Sequence, residues 1–182
     1  MIKTSDILDE KDKHLRAKNI EVTFPLSKER KKLIDDMLEH LYYSQIEEYA
    51  LKYNLRPGMG LAAPQLGINE RFFVICHEES EDNFKNYVII NPEMISHSEE
   101  LIYASEGEGC LSVNREVEGI VPRYARCTFT GYDTEGNKIK IRVREELSIA
   151  FQHELDHLNG IMFYDHIDSK NPYKNKDYMR EI

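Results

Sequence analysis

The 182 residues contain no tryptophan, only three cysteines, and no apolar run close to the ~20 residues that a membrane span requires. No membrane segment is therefore expected. Three cysteines cannot build a disulfide framework, and an odd count leaves at least one thiol free. That points to a reducing compartment, or to a thiol kept for chemistry. The first 18 residues mix acids and bases without an apolar stretch, which excludes a secretory signal or an Arg-rich transit peptide. Positive charge is in the minority: 24 Lys and Arg stand against 33 Asp and Glu, for a net charge of −9. Tight nucleic-acid binding runs on phosphate neutralisation, so no specific nucleic-acid readout is expected. Nine acids and one lysine between Glu78 and Glu108 carry nearly all of the excess, and they read as solvated surface. The expectation is a soluble, cytoplasmic, single-domain protein with one core.

No repeat, low-complexity tract or linker divides the chain. From Ser27 to about Asn54 the apolar positions Leu33, Ile34, Met37, Leu38, Leu41, Ile46, Tyr49 and Tyr53 follow a helical stripe. Ser27 is placed as its N-cap, and Arg56-Pro57-Gly58 is placed to stop it. The period then changes. Arg71–Cys76 and Tyr87–Ile90 read as strands, the second halted by Asn91-Pro92. Cys127–Tyr132 and Lys138–Val143 flank a turn in which Gly136 takes a positive φ, which predicts a hairpin. A second helix is predicted from about Arg144 to Asn159, capped by Gly160. Helix, strands, helix describes an α+β domain with sheet packed on helix.

The strongest chemical signal is His153-Glu154-Leu155-Asp156-His157. Residues i and i+4 share one face of a helix, so both imidazoles can reach one metal ion, with the Glu154 carboxylate beside them as a base. A catalytic site needs a third protein ligand. Metzincin proteases place it at the position held here by Phe163, and His166 comes three residues too late. After His157 the only glutamate is Glu181. The protease reading therefore lacks a ligand. Cys76 and Cys127 sit in strand patterns and read as core residues, whereas Cys110 lies in a glycine-flanked loop, where its role stays open.

Three segments, Gly60-Leu-Ala-Ala-Pro-Gln65, Glu108-Gly-Cys-Leu-Ser112 and Gln152-His-Glu-Leu-Asp-His157, resemble the signature motifs of the peptide deformylases in order and spacing. The resemblance runs from about Leu15 to Ile167. Phe24-Pro-Leu-Ser27 and the segment Asn159–Ile167 are similar to the type 2 enzymes of low-GC Gram-positive bacteria. The family's N-terminal Pro-x-Leu-Arg is altered, since Lys13-His-Leu-Arg16 has no proline, and the residues after Asp168 match nothing assignable.

The resemblance implies antiparallel and mixed sheets packed around a central helix that carries the two histidines, with a long N-terminal helix. It treats 1–182 as one catalytic domain, with 1–14 and 169–182 peripheral. It implies a hydrolase that releases formate from the initiator formyl-methionine of nascent proteins. Cys110, His153 and His157 become the ligands of one metal ion per chain, Fe²⁺, with Zn²⁺, Ni²⁺ or Co²⁺ able to take its place. Glu154 becomes the general base, and the Gln65 amide and the Leu111 backbone N–H the oxyanion donors. Met59, Ile149 and Ala150 are candidate walls of an apolar methionine slot. Gly60 and Gly109 leave backbone open for an extended peptide. The implied partners are N-formyl-methionyl nascent peptides and the ribosome near its exit tunnel. A catalytically inactive ribosome- or peptide-binding relative is the second reading. Asp156, off the metal side of its helix, reads either as a partner of Arg123 or Arg126, expected to fix the helix against the sheet, or as an exposed carboxylate.

Overall fold

The apolar stripe that follows Ser27 folds as two helices, not one. In the computed structural model, which describes residues 1–182, α1 spans Lys28–Ser44 and α2 spans Glu47–Tyr53. Ser27 caps α1 as predicted, its side chain accepting the Arg30 N–H. The break has a local cause. The Ser44 hydroxyl is shared with the loop at Gly58, whose N–H it accepts at 3.2 Å. The Gln45 side-chain amide donates to the Cys76 carbonyl at 2.9 Å, which turns the chain toward the sheet. The Tyr43 and Tyr49 rings, tilted with centroids 4.6 Å apart, bridge the two helices. The end of α2 is set by Asn54 in the left-handed region, before Arg56-Pro57-Gly58 is reached.

Five strands form an antiparallel sheet: β1 (Gly60–Ala62), β2 (Phe72–Ser80), β3 (Asn83–His97), β6 (Arg126–Tyr132) and β7 (Lys138–Arg144), in the order β1-β2-β3-β6-β7. The second sheet holds β4 (Leu101–Tyr103), β5 (Arg123–Tyr124) and β8 (Arg180–Glu181), with β8 parallel to β4. The remaining helix, α3, spans Glu145–Leu158. The apolar start of β2 is explained by layers on both of its faces. Phe72, Val74 and Cys76 join Ile34, Met37 and Leu41 of α1 in one core cluster. Phe73 and Ile75, pointing the other way, join Phe151 and Leu158 of α3. The Phe151 ring meets Phe73 edge-on at 5.4 Å and Phe129 at 5.2 Å, so α3 is seated against the sheet by its own aromatic residue.

The predicted hairpin forms over β6 and β7, with Arg126 opposite Arg144, Tyr132 opposite Lys138 and Gly136 at φ 84°. Asn91-Pro92 does not end its strand. β3 runs on to His97 through a register shift, because Asn91 adopts φ 51° and its side chain takes both backbone groups of Val22. Cys76 and Cys127 are buried, as expected of core thiols. No helix is long and apolar enough to cross a membrane.

The exit from α3 is tightly specified. Gly160 has φ 72°, and a Cβ there would lie 2.5 Å from the Arg16 carbonyl oxygen. Gly160→Ala is therefore expected to cost about 2 kcal/mol or more, from left-handed strain and overlap together. Urea unfolding checks this: the midpoint should fall with the m-value unchanged.

Candidate active site

His153 and His157 stand one turn apart on α3, with ring centroids 5.0 Å apart. The loop after β4 brings Cys110 to them, its Sγ 3.3 Å from His157 Nε2. One donor atom from each of Cys110, His153 and His157 lies within 4.8 Å of the others, and all three residues are buried. Bond lengths of about 2.0–2.3 Å would set tetrahedral donors about 3.3–3.8 Å apart. A thiol and two imidazoles at this spacing fit a borderline-soft divalent ion. Glu154 Oε2 is buried without a hydrogen-bond partner, so a carboxylate beside these donors has polar capacity that the protein itself does not use.

The orientation of His153 is fixed from behind. Its Nδ1 meets Glu108 Oε2 at 2.9 Å, leaving Nε2 for the site. Glu108 in turn accepts two bonds from the Arg123 guanidinium, at 2.7 and 2.9 Å. A third Arg123 bond reaches Asp156 at 2.6 Å, and Asp156 also meets His166 Nε2 at 2.7 Å. The expected partner of Asp156 is thus Arg123, while Arg126 turns to Glu100. Glu108 corrects the reading of the acidic window as solvated surface. It is 5% exposed, because alone among those acids it meets a buried guanidinium and an imidazole.

Charge follows from this packing. Burial alone would raise the Glu108 carboxyl, but the Arg123 charge and hydrogen bonds hold it down at about 2. Burial opposes a proton on His153, yet its bonds to Cys110 and Glu108 raise it well above the ordinary imidazole value. Burial, reinforced by the neighbouring cations, keeps His157 neutral. Burial pushes the Glu154 carboxyl up to about 7.

Gln65 is held at both ends of its amide. Its Oε1 accepts the Ala62 N–H at 2.9 Å, and its Nε2 donates to Ser112 Oγ at 3.1 Å and lies 3.6 Å from Cys110 Sγ. Gln152, inside the third motif, acts on the scaffold instead, pairing with both backbone groups of Tyr124 at 3.0 Å. A cavity of about 640 Å³ opens over Glu154 and Cys110. Met59, Gly60, Gly109, Leu111, Ile149 and Ala150 all line it, together with Gln65 and His153. His157 lies beneath its floor. Gly60 has a steric role that the sequence pattern did not disclose: a Cβ there would sit 2.3 Å from Glu154 Oε1. At Gly109 nothing lies within 4 Å of such a Cβ, so its backbone is open to the cavity. The bonds of Arg123 to Glu108 and of Gln65 to Ser112 escaped sequence reasoning, which paired Arg123 only with Asp156.

Residues 4–173 match the family model described as Polypeptide deformylase. The chain is 50% identical over 175 residues to a peptide deformylase of Macrococcus caseolyticus, covering 96% of this chain and 95% of that protein. It is 44% identical over 177 residues to Peptide deformylase 2 of Bacillus anthracis, covering 97% and 96%. Among solved structures, a probable peptide deformylase from Synechococcus phage S-SSM7 superposes with a TM-score of 0.73 at 34% identity, over 88% of this chain and 98% of that one.

The depressed Glu108 carboxyl has a consequence for acid stability. Its contribution is fully present above the ordinary value of 4.5 and is lost as pH falls toward about 2. Urea unfolding between pH 7 and pH 3 should show this loss. Arg123→Met, which strands Glu108 without its counter-charge, should destabilise by about 4 kcal/mol at pH 7 and flatten the acid dependence.

Proposed function

The chain belongs to the polypeptide deformylase family, and on that premise we propose that Cys110, His153 and His157 hold one Fe²⁺ ion, at a site that also accepts Zn²⁺, Ni²⁺ or Co²⁺. The protein is an enzyme that removes the N-formyl group from nascent peptides and releases formate. The observation that carries the site assignment is the convergence of three soft and borderline donors beside an unpartnered carboxylate that lines one cavity. The presence of all three donors and of Glu154 leaves the reading as an inactive relative without support.

A divalent ion bound by one thiolate and two neutral imidazoles keeps a net charge of +1, and it supplies Lewis acidity toward water and toward the formyl oxygen. The chain's own groups do the rest. Glu154 takes the proton of the attacking water. It then delivers that proton to the peptide nitrogen as the C–N bond breaks, leaving formate and a free amine. Burial raises this carboxyl, which favours its holding the proton between the two transfers. Gln65, whose Oε1 is tied to Ala62, aims its Nε2 at the reaction centre. That amide and the Leu111 N–H donate to the formyl oxygen as charge develops on it.

The methionine side chain enters between Met59, Ile149 and Ala150, and the peptide extends past the open backbone of Gly60 and Gly109. The partners we infer are N-formyl-methionyl nascent peptides presented in the cytoplasm at the ribosome, near the exit tunnel. The charge balance supports no specific nucleic-acid readout. Residues 1–182 act as one catalytic unit.

Formate release from N-formyl-Met-Ala-Ser by anaerobically prepared protein loaded with Fe²⁺ or Ni²⁺ tests this reading. The parent protein should release formate, and Glu154→Ala should lose at least about 10²-fold in kcat. Silence of the parent, or full activity of the variant, would end the proposal. Gly60→Ala should also lose about 10²-fold, because its Cβ displaces the Glu154 carboxylate. Metal content measured by atomic absorption should be unchanged in that variant.

A further inference from the structure

The C-terminal residues, to which the motifs assign no role, fold into the wall of the substrate cavity. β8 pairs in parallel with β4, setting Arg180 beside Ile102 and Glu181 beside Tyr103. The Ile182 N–H donates to the Tyr103 carbonyl at 3.1 Å, and the Ile182 carbonyl accepts the Ser105 N–H at 2.9 Å. Ile182 thereby packs on the cluster of Ile102, Ala125 and Ile149, with Ala104 beside it. Ala104, Ile149 and Ile182 all line the cavity that holds Glu154 and Cys110.

The anchoring of this strand reaches the catalytic helix directly. The Arg180 guanidinium donates to both Glu145 oxygens, at 2.8 and 2.9 Å, and its Nε donates to Glu100 at 2.8 Å. Glu145 is the first residue of α3 and sits in the left-handed region at φ 54°, where only outside contacts hold a glutamate. One side chain therefore ties β8 to the helix that carries Ile149, His153 and Glu154. Ile149 lies one turn, about 6 Å, from His153 on the same face. An unbranched side chain whose carbonyl end is held near His153 reaches Ile149 and then the cavity wall to which Ile182 contributes.

We propose that Ile182 is a specificity-determining residue that closes the apolar end of the methionine slot, and that Arg180 is a positioning residue that holds it there. The proposal rests on the deformylase reading of the site. It gives β8 a part in substrate choice, whereas a strand serving only to finish the small sheet would affect stability alone.

The test compares N-formyl-Met-Ala-Ser with N-formyl-Phe-Ala-Ser as substrates of the metal-loaded parent and of Ile182→Ala, Ile182→Val, Arg180→Met and Arg180→Lys. In Ile182→Ala, KM for the methionine peptide should rise about tenfold with kcat within about twofold, and the Met-to-Phe ratio of kcat/KM should fall. Arg180→Met should move both quantities in the same direction, and Arg180→Lys should recover part of the loss. Should Ile182→Ala fail to fold, the milder Ile182→Val carries the same comparison of ratios. A lowered Tm with KM and the Met-to-Phe ratio unchanged would overturn the proposal. Formate release by the parent separates the two failures. An active parent with unaltered ratios in the variants sinks the role of Ile182 alone, and a silent parent sinks the deformylase reading and this proposal with it.

Discussion

The active site hangs on one buried ion pair. Arg123, 3% exposed, binds Glu108 through two nitrogens and Asp156 through a third. Glu108 lies two residues before Cys110, and Asp156 lies one residue before His157. A single guanidinium therefore stitches the loop that supplies the sulfur to the helix that supplies the imidazoles. Burying such charges is expensive, and an apolar replacement of equal volume would often stabilise a fold as well or better. What the pair contributes is position: Glu108 also takes Nδ1 of His153, and so turns the ring's other nitrogen toward the site.

Around that pair, the layers of the fold explain why the chemistry sits where it does. β2 is apolar on both faces because α1 covers one and α3 the other, and Phe151 seats α3 among Phe73, Tyr87 and Phe129. The short strand β1 then passes under α3 so closely that Gly60 has no room for a Cβ beside Glu154. Low dielectric follows from the same closeness, and it raises the Glu154 carboxyl to about 7. Packing and reactivity are one arrangement here.

Much of this was legible in the residue pattern, and what escaped it has identifiable causes. The i, i+4 spacing of His153 and His157, the cap at Ser27 and the turn at Gly136 are local properties, and local spacing specifies them. The division of the first helical stripe at Gln45 is not local, since it depends on a carbonyl of β2 that only the folded sheet supplies. Asn91 reads as a strand breaker, yet a distant segment at Val22 satisfies its side chain and lets the strand continue. Glu108 looks like one acid among nine, and the guanidinium that buries it lies 15 residues further along the chain. The packing of Ile182 on the cluster that holds Ile149 joins residues far apart in sequence, and no periodicity signals it.

The central claim, that one thiolate and two imidazoles of this chain hold the ion, is tested most directly by X-ray absorption at the zinc edge of Zn²⁺-loaded protein. The account predicts one sulfur scatterer at about 2.3 Å and two imidazole nitrogens at about 2.0–2.1 Å, with the sulfur lost in Cys110→Ser. A spectrum without a sulfur scatterer in the parent protein, or one that keeps it in the variant, would contradict the account.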